Sequence, residues 1–138
     1  MNVRSRAIRL LPIAVLALAC AADTKGLPTL SVPELANLLA RDPTVEVCDA
    51  NTDDVRSRYG VLPGARLLSS YRDYDPAREL PADKSRPLVF YCHSERCGAA
   101  VTAARRAVVA GHTNVSVLPP GIRGWDAAGQ PVERPSPS

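Results

Sequence analysis

No apolar run in this sequence reaches the ~20 residues that a membrane-crossing helix needs. The longest, Leu10 to Ala19, stops well short, so a multi-span membrane architecture is excluded. No internal repeat is visible, and 138 residues suffice for one domain of ordinary size. Histidine is scarce: there are two, and neither they nor the cysteines show a paired metal-ligand spacing, so no structural zinc site is expected. An excess of one charge sign is also missing once the first residues are set aside. Arg4, Arg6 and Arg9 precede every acidic residue, and without them 14 basic residues face 14 acidic ones. A neutral domain has no long-range field to draw in nucleic acid or an anionic membrane surface, and no nucleic-acid partner is expected. Apolar content of 46% separates the chain from the disordered class.

What is present begins with a leader. Three arginines, the apolar run Leu10–Ala19 and then small residues have the layout of a secretory signal peptide over residues 1–19. Ala17-Leu18-Ala19-Cys20 matches a bacterial lipoprotein cleavage site, with Ala17 where leucine is usual. Cleavage there makes Cys20 the lipidated N-terminus and residues 20–28 a tether to the membrane of the cell envelope. The same residues, and Cys20-Ala21-Ala22, also fit ordinary small-x-small cleavage. With Cys20 lipidated, Cys48, Cys92 and Cys97 remain. Three is an odd number, so in an oxidising compartment at least one thiol stays free or pairs outside the chain.

Along the mature chain, Ser31 and Glu34 form a capping box that starts a helix, and Asp42-Pro43 ends it. Val45–Cys48 reads as a strand ending at Asp49. Asn51–Tyr59 reads as a short polar helix, Leu62–Ala65 as a turn and Arg66–Leu68 as a short strand. Tyr71–Lys84 reads as loop. Leu88–Tyr91 has no interior charge, as a strand covered on both faces requires. Gly98–Ala110 reads as a helix closed by Gly111, Val115–Leu118 as a strand and Ile122–Trp125 as a last short helix. Residues 134–138 read as a disordered tail. Helices alternating with short apolar strands predict an α/β fold with a parallel sheet and helices on both faces. Such sheets place their chemistry beyond the carboxyl ends of the strands, which is where Cys92 stands.

Between strand and helix lies Cys92-His93-Ser94-Glu95-Arg96-Cys97, followed by Gly98. The first amides of the following helix have no partner inside it and point back into this loop. With the helix dipole they form a cradle for negative charge. A thiolate at its rim is stabilised, so Cys92 is expected to titrate below an ordinary thiol. His93 or Arg96 turned inward would assist, and Glu95 would oppose.

Leu88–Ala100 (LVFYCHSERCGAA) resembles the active-site strand, loop and helix of rhodanese-like domains. Val47–Ala65 (VCDANTDDVRSRYGVLPGA) resembles their strand ending in Asp, short helix and Gly-x-x-Pro-Gly-Ala turn. Val115–Val132 (VSVLPPGIRGWDAAGQPV) resembles their closing strand, turn and Gly-x-Trp helix. The resemblance covers residues 29–133. It implies a central parallel sheet of about five short strands, no cofactor, and Cys92 as the nucleophile that accepts sulfane sulfur as a persulfide and passes it to a thiol or cyanide. Active-site loops of the family commonly end in Arg. Here Cys97 takes that place, with Arg96 one residue earlier, which weakens the case for thiosulfate as donor. Related phosphatases use a loop one residue longer that ends in Arg; here that place is Gly98, which argues against phosphoester chemistry.

Three functions follow as expectations: an exported sulfurtransferase acting on a small sulfur donor and a thiol acceptor, a thiol redox module using Cys92 and Cys97, and a membrane-tethered binding domain. Cys97 reads as a resolving thiol, a disulfide partner or packing, although the short curved loop argues against a strain-free bridge. Asp49 reads as a structural hydrogen-bonding residue or as the edge of the site. Cys48 is expected in the core, with a partner role toward Cys92 as the alternative. His93 is expected exposed in the loop, with an acid–base role as the alternative. His112 is expected to be inert in a turn, Trp125 to anchor the last helix, and Arg56 and Arg58 to lie on the solvated surface.

Overall fold

The first helix begins where its cap predicts. In the computed structural model, which describes residues 23–135, α1 spans Val32–Arg41. The Glu34 N–H donates to Ser31 Oγ (3.3 Å), and the Ser31 N–H donates to the Glu34 carboxylate (2.7 Å), closing the capping box. Pro33 occupies the first turn, where a missing N–H breaks no helical bond. Residues 1–22 and 136–138 lie outside the described residues, and with them the expected leader, its lipidation site at Cys20 and the end of the expected tail.

The remaining elements follow in chain order: β1 Glu46–Asp49, α2 Asp53–Tyr59, β2 Arg66–Leu67, α3 Pro76–Glu79, β3 Leu88–Tyr91, α4 Ala99–Val109, β4 Val115–Leu118 and α5 Gly121–Ala127. The strands form one parallel sheet in the order β2-β1-β3-β4. All four residues of β3 are buried, since the strand has a neighbour on each side and helices on each face.

Strand side chains alternate between two cores. On one face Leu88, Phe90, Cys48 and Val117 pack with the alanine-rich side of α4, Leu80 and the ring of Tyr74. On the other, Val89, Tyr91, Val47 and Leu118 pack with Val32 and Leu35 of α1 and with Ile122 and Trp125 of α5. Each fully buried Leu, Ile or Phe contributes about 1.5–3 kcal/mol relative to exposure, so this double layer holds the sheet and fixes the carboxyl ends of its strands.

The fold class is the expected one, with three differences of detail. The sheet has four strands among the described residues, not five. The fifth is reduced to a single parallel bridge between Thr29 and Val117, because the chain enters the helix cap at Ser31 directly afterwards. Within the segment expected to be loop, Asp75 accepts from the Ala77 N–H and caps the one-turn helix α3. Order also runs past residue 133: Glu133 pairs with Val61, and the Arg134 guanidinium donates to the carbonyls of Ser57 and Arg58.

Candidate active site

Register carries Asp49, Tyr91 and Leu118 into one row at the carboxyl end of the sheet. Cys92 is the next residue after that row, 2% exposed and packed in the α4-side core. Its backbone is held from α5: the Ile122 N–H donates to Cys92 O (2.9 Å) and the Arg123 N–H donates to His93 O (3.0 Å). Gly121 makes this approach possible. It has φ +61°, and a Cβ there would stand 2.5 Å from Cys92 O and 2.8 Å from His93 O, so only glycine fits.

The loop itself is sparsely bonded. The Cys97 N–H donates to Ser94 O (3.0 Å). The amides of Ser94, Glu95, Arg96 and Gly98 meet no acceptor among the described residues. Gly98 precedes α4 without a side-chain cap, and the first turn of α4 holds no acidic residue. Unpaired amides and the positive end of an 11-residue helix therefore converge on the loop. Glu95 and Arg96 are exposed, while Ser94 and Cys97 are half-buried. Cys92, Glu95, Cys97, Thr24 and Pro119 border a small cleft floored by Ala100, Val101, Val117 and Leu118; its free volume, about 10 Å³, is at most that of one water.

Cys92 and Cys97 are joined by a disulfide, with their Cα atoms 6.3 Å apart. That separation lies inside the range a bridge accepts. The short loop therefore accommodates the bond that its curvature was expected to oppose. Sγ of Cys92 also lies 3.2 Å from the carbonyl oxygen of Cys97. Cys48 remains free and fully buried. Burial, then the neighbouring Glu46, pushes its thiol up to about 12. It is a core residue and takes no part in the bridge.

His93 is not the exposed residue expected. The strand alternation continues for two residues past β3, so its ring leaves the face of Cys92 and packs on Tyr59, with ring centres 4.6 Å apart. Its Nε2 is buried with no partner. The Arg123 guanidinium lies 5.2 Å from the centre of the Tyr59 ring. This placement separates the imidazole from the cysteine sulfur and offers no support for an acid–base role.

Asp49 is fully buried and serves the frame of the site. Its carboxylate accepts from the Tyr91 hydroxyl, from the Asn51 N–H (2.7 Å) and from Arg56 Nε (3.2 Å). Arg56, expected on the surface, is 7% exposed. Its guanidinium also donates to the carbonyls of Asp49 (3.1 Å) and Leu68 (2.9 Å), which end β1 and follow β2, and to the Asp53 carboxylate. The Tyr91 hydroxyl in turn accepts from the Leu62 N–H (3.1 Å). Burial, then Asp49, raises the Tyr91 hydroxyl far above the ordinary phenol range, so it stays protonated and donates. The only trace of this network in the sequence is an Asp at a strand end with an Arg seven residues on, a spacing that a solvent-facing arginine fits equally well. Arg58, by contrast, is exposed and pairs with Asp54.

His112 is buried beneath its turn, with Nε2 3.4 Å from Lys84 Nζ. Burial, then Lys84, holds it below the usual imidazole range. Trp125 anchors α5 as expected: it is buried, and Nε1 donates to Pro131 O (2.8 Å).

The family model of the rhodanese-like domain matches residues 31–128. Among solved structures, the chain is similar to the rhodanese-like domain of an Anabaena protein: 22% identity over 80% of this chain and 85% of that one, TM-score 0.66. It is also similar to a Pseudomonas aeruginosa thiosulfate sulfurtransferase, with 23% identity, 80% of this chain covered and a TM-score of 0.65; the match takes in 21% of that longer chain. A Rhodopseudomonas palustris protein of unknown function, a possible tyrosine phosphatase, matches at 21% identity over 78% of this chain and 85% of that one, TM-score 0.62. At these identities the structures speak for the fold. None of the curated proteins matches the chain by sequence. The match of the family model over most of the chain, on a parallel sheet with the expected loop at its carboxyl end, makes this chain a member of the rhodanese-like domain family.

Proposed function

We propose that this protein is an exported, lipid-anchored sulfurtransferase that carries sulfane sulfur as a persulfide on Cys92. The observation that carries the reading is the position of Cys92: directly after the buried β3 and six residues before Gly98, the cap position of a helix N-terminus with no side-chain cap. The thiolate of Cys92 attacks the terminal sulfur of a sulfane donor, and the donor's remainder leaves with the electron pair of the broken S–S bond. Unpaired loop amides and the dipole of α4 favour the anionic sulfur before and after transfer. An acceptor thiolate, or cyanide, then removes the terminal sulfur and regenerates Cys92. No metal or organic cofactor enters these steps. Arg96 is exposed beside the loop and is a candidate contact for an anionic donor.

The test is the intact mass of the reduced protein after exposure to a sulfane donor. Read in the Cys97→Ser variant, which lacks the second loop thiol, the expected result is a gain of one sulfur atom, removed by cyanide and absent when Cys92 is also changed to Ser. Failure to gain sulfur with polysulfide and with thiosulfate overturns the reading. Anchoring is tested separately: Cys20→Ser is expected to move the protein from the membrane fraction to the soluble envelope fraction, and an unchanged distribution refutes the anchor.

A second reading, a dithiol–disulfide redox module, is favoured by one observation, the bridge between Cys92 and Cys97. It predicts reversible loss of two hydrogens with no sulfur gained and no sulfide released from a sulfane donor.

A further inference from the structure

We propose that Cys97 is a resolving thiol that discharges the Cys92 persulfide as hydrosulfide, leaving the Cys92–Cys97 disulfide as the end state of a turnover. This inference rests on the sulfurtransferase reading above and adds the fate of the bound sulfur. The structure holds the product of the step: Sγ of Cys92 is bonded to Sγ of Cys97, with Cα atoms 6.3 Å apart.

The loop keeps the two sulfurs within reach. Backbone hydrogen bonds from Ile122 and Arg123 fix the Cys92–His93 end, and the Cys97 N–H to Ser94 O bond fixes the other. Cys97 packs against the same core as Cys92, and both border a cleft with no more room than one water takes. A thiol held there meets the persulfide at an effective concentration that a free acceptor does not match. The other thiol among the described residues, Cys48, is fully buried and free, so it does not compete.

The step balances as a thiol–disulfide exchange. The Cys97 thiolate attacks Sγ of Cys92. The Cys92 Sγ–terminal sulfur bond breaks as the Cys92–Cys97 bond forms. The terminal sulfur takes the electron pair, and with the proton given up by Cys97 it leaves as hydrosulfide. Terminal sulfur is reduced and Cys97 is oxidised. A dithiol reductant then exchanges with the bridge, returning two thiols and becoming a disulfide itself. The overall reaction is the reduction of a donor's sulfane sulfur to sulfide by a dithiol.

The experiment uses the full chain, reduced and desalted, with benzenethiosulfonate as donor. Its leaving group is a sulfinate, so any sulfide comes from the resolving step. Sulfide is read at an electrode and the protein by intact mass. The parent is expected to release one equivalent of sulfide without added acceptor and to end two hydrogens lighter. Cys97→Ser, with Cys97→Ala as a second variant, is expected to hold one added sulfur and release none until cyanide or a free thiol is supplied. If the parent keeps the added sulfur as stably as both variants do, Cys97 does not resolve, and the persulfide reading stands. If the Cys97 variants gain no sulfur and the parent releases no sulfide, the sulfurtransferase reading falls, and this inference with it.

Discussion

Two structures share the carboxyl end of this sheet and are built on opposite principles. The Asp49–Arg56–Tyr91 network is buried, charged and bonded at nearly every polar atom: Arg56 alone reaches two carboxylates and two carbonyls. Beside it, the Cys92–Gly98 loop has one internal backbone bond and a row of amides without acceptors. The first arrangement over-determines the positions of β1, β2 and β3. The second leaves amide donors without acceptors and carries the two bridged cysteines. A fixed frame is what allows the neighbouring loop to stay unsatisfied, because β3 and α4 hold its ends apart at a set distance.

The comparison is broken most severely by Arg56→Ala. It leaves a fully buried carboxylate without its counter-charge and takes a donor from the Asp49 and Leu68 carbonyls, and is expected to cost about 3–5 kcal/mol in urea unfolding. A loss below about 0.5 kcal/mol, as for an ordinary surface change, would mean that the network frames nothing. Tyr91→Phe is milder. It leaves an Asp49 oxygen and the Leu62 N–H without a partner, with an expected cost of about 1–3 kcal/mol. Sulfur loading of Cys92 should persist in this variant, since the loop keeps its own anchors; loss of loading in a folded Tyr91→Phe protein would join the two regions functionally.

Gly121→Ala tests the anchor between them. A positive φ and a Cβ against Cys92 O are expected to destabilise by about 1–3 kcal/mol and to change the rate at which reduced Cys92 is alkylated. An unchanged alkylation rate would show that the α5 contact does not position the loop.

The smallest effect concerns His112, remote from both regions. Burial and Lys84 lower its folded-state pKa below 6.5, so the unfolded chain binds the proton more readily. Its stabilising contribution is present above pH 6.5 and is lost as the pH falls through the lower folded value. His112→Gln should flatten that part of the stability–pH curve, and an NMR titration of His112 at or above 6.5 would contradict the assignment.

Much of the frame was readable residue by residue. The Ser31/Glu34 box, the uncharged Leu88–Tyr91 run and the turn before Trp125 each name their element through local chemistry: capping, two-sided burial and backbone freedom. The cysteine loop was readable because nucleophile, loop and helix are contiguous. Arg56 was not, because a lone arginine in a short polar helix has the same local signature whether it faces water or a carboxylate carried by another element. His93 was misread for a related reason: whether a strand's alternation persists for two more residues depends on what packs on each face.

The amino-acid sequence by itself determined the order of the elements other than α3, the parallel α/β class and the place of Cys92 at a strand end before a helix, because each follows from periodicity, caps and contiguous motifs, and those motifs carried the family resemblance. Tertiary structure alone decided that Asp49 belongs to the frame, that Arg56 is its buried partner, that His93 turns to Tyr59, and that Cys97 comes within bonding reach of Cys92. Those are distances between residues on different elements or across a curved loop, and they are settled only when the sheet, its two faces and the ends of its strands are brought into register.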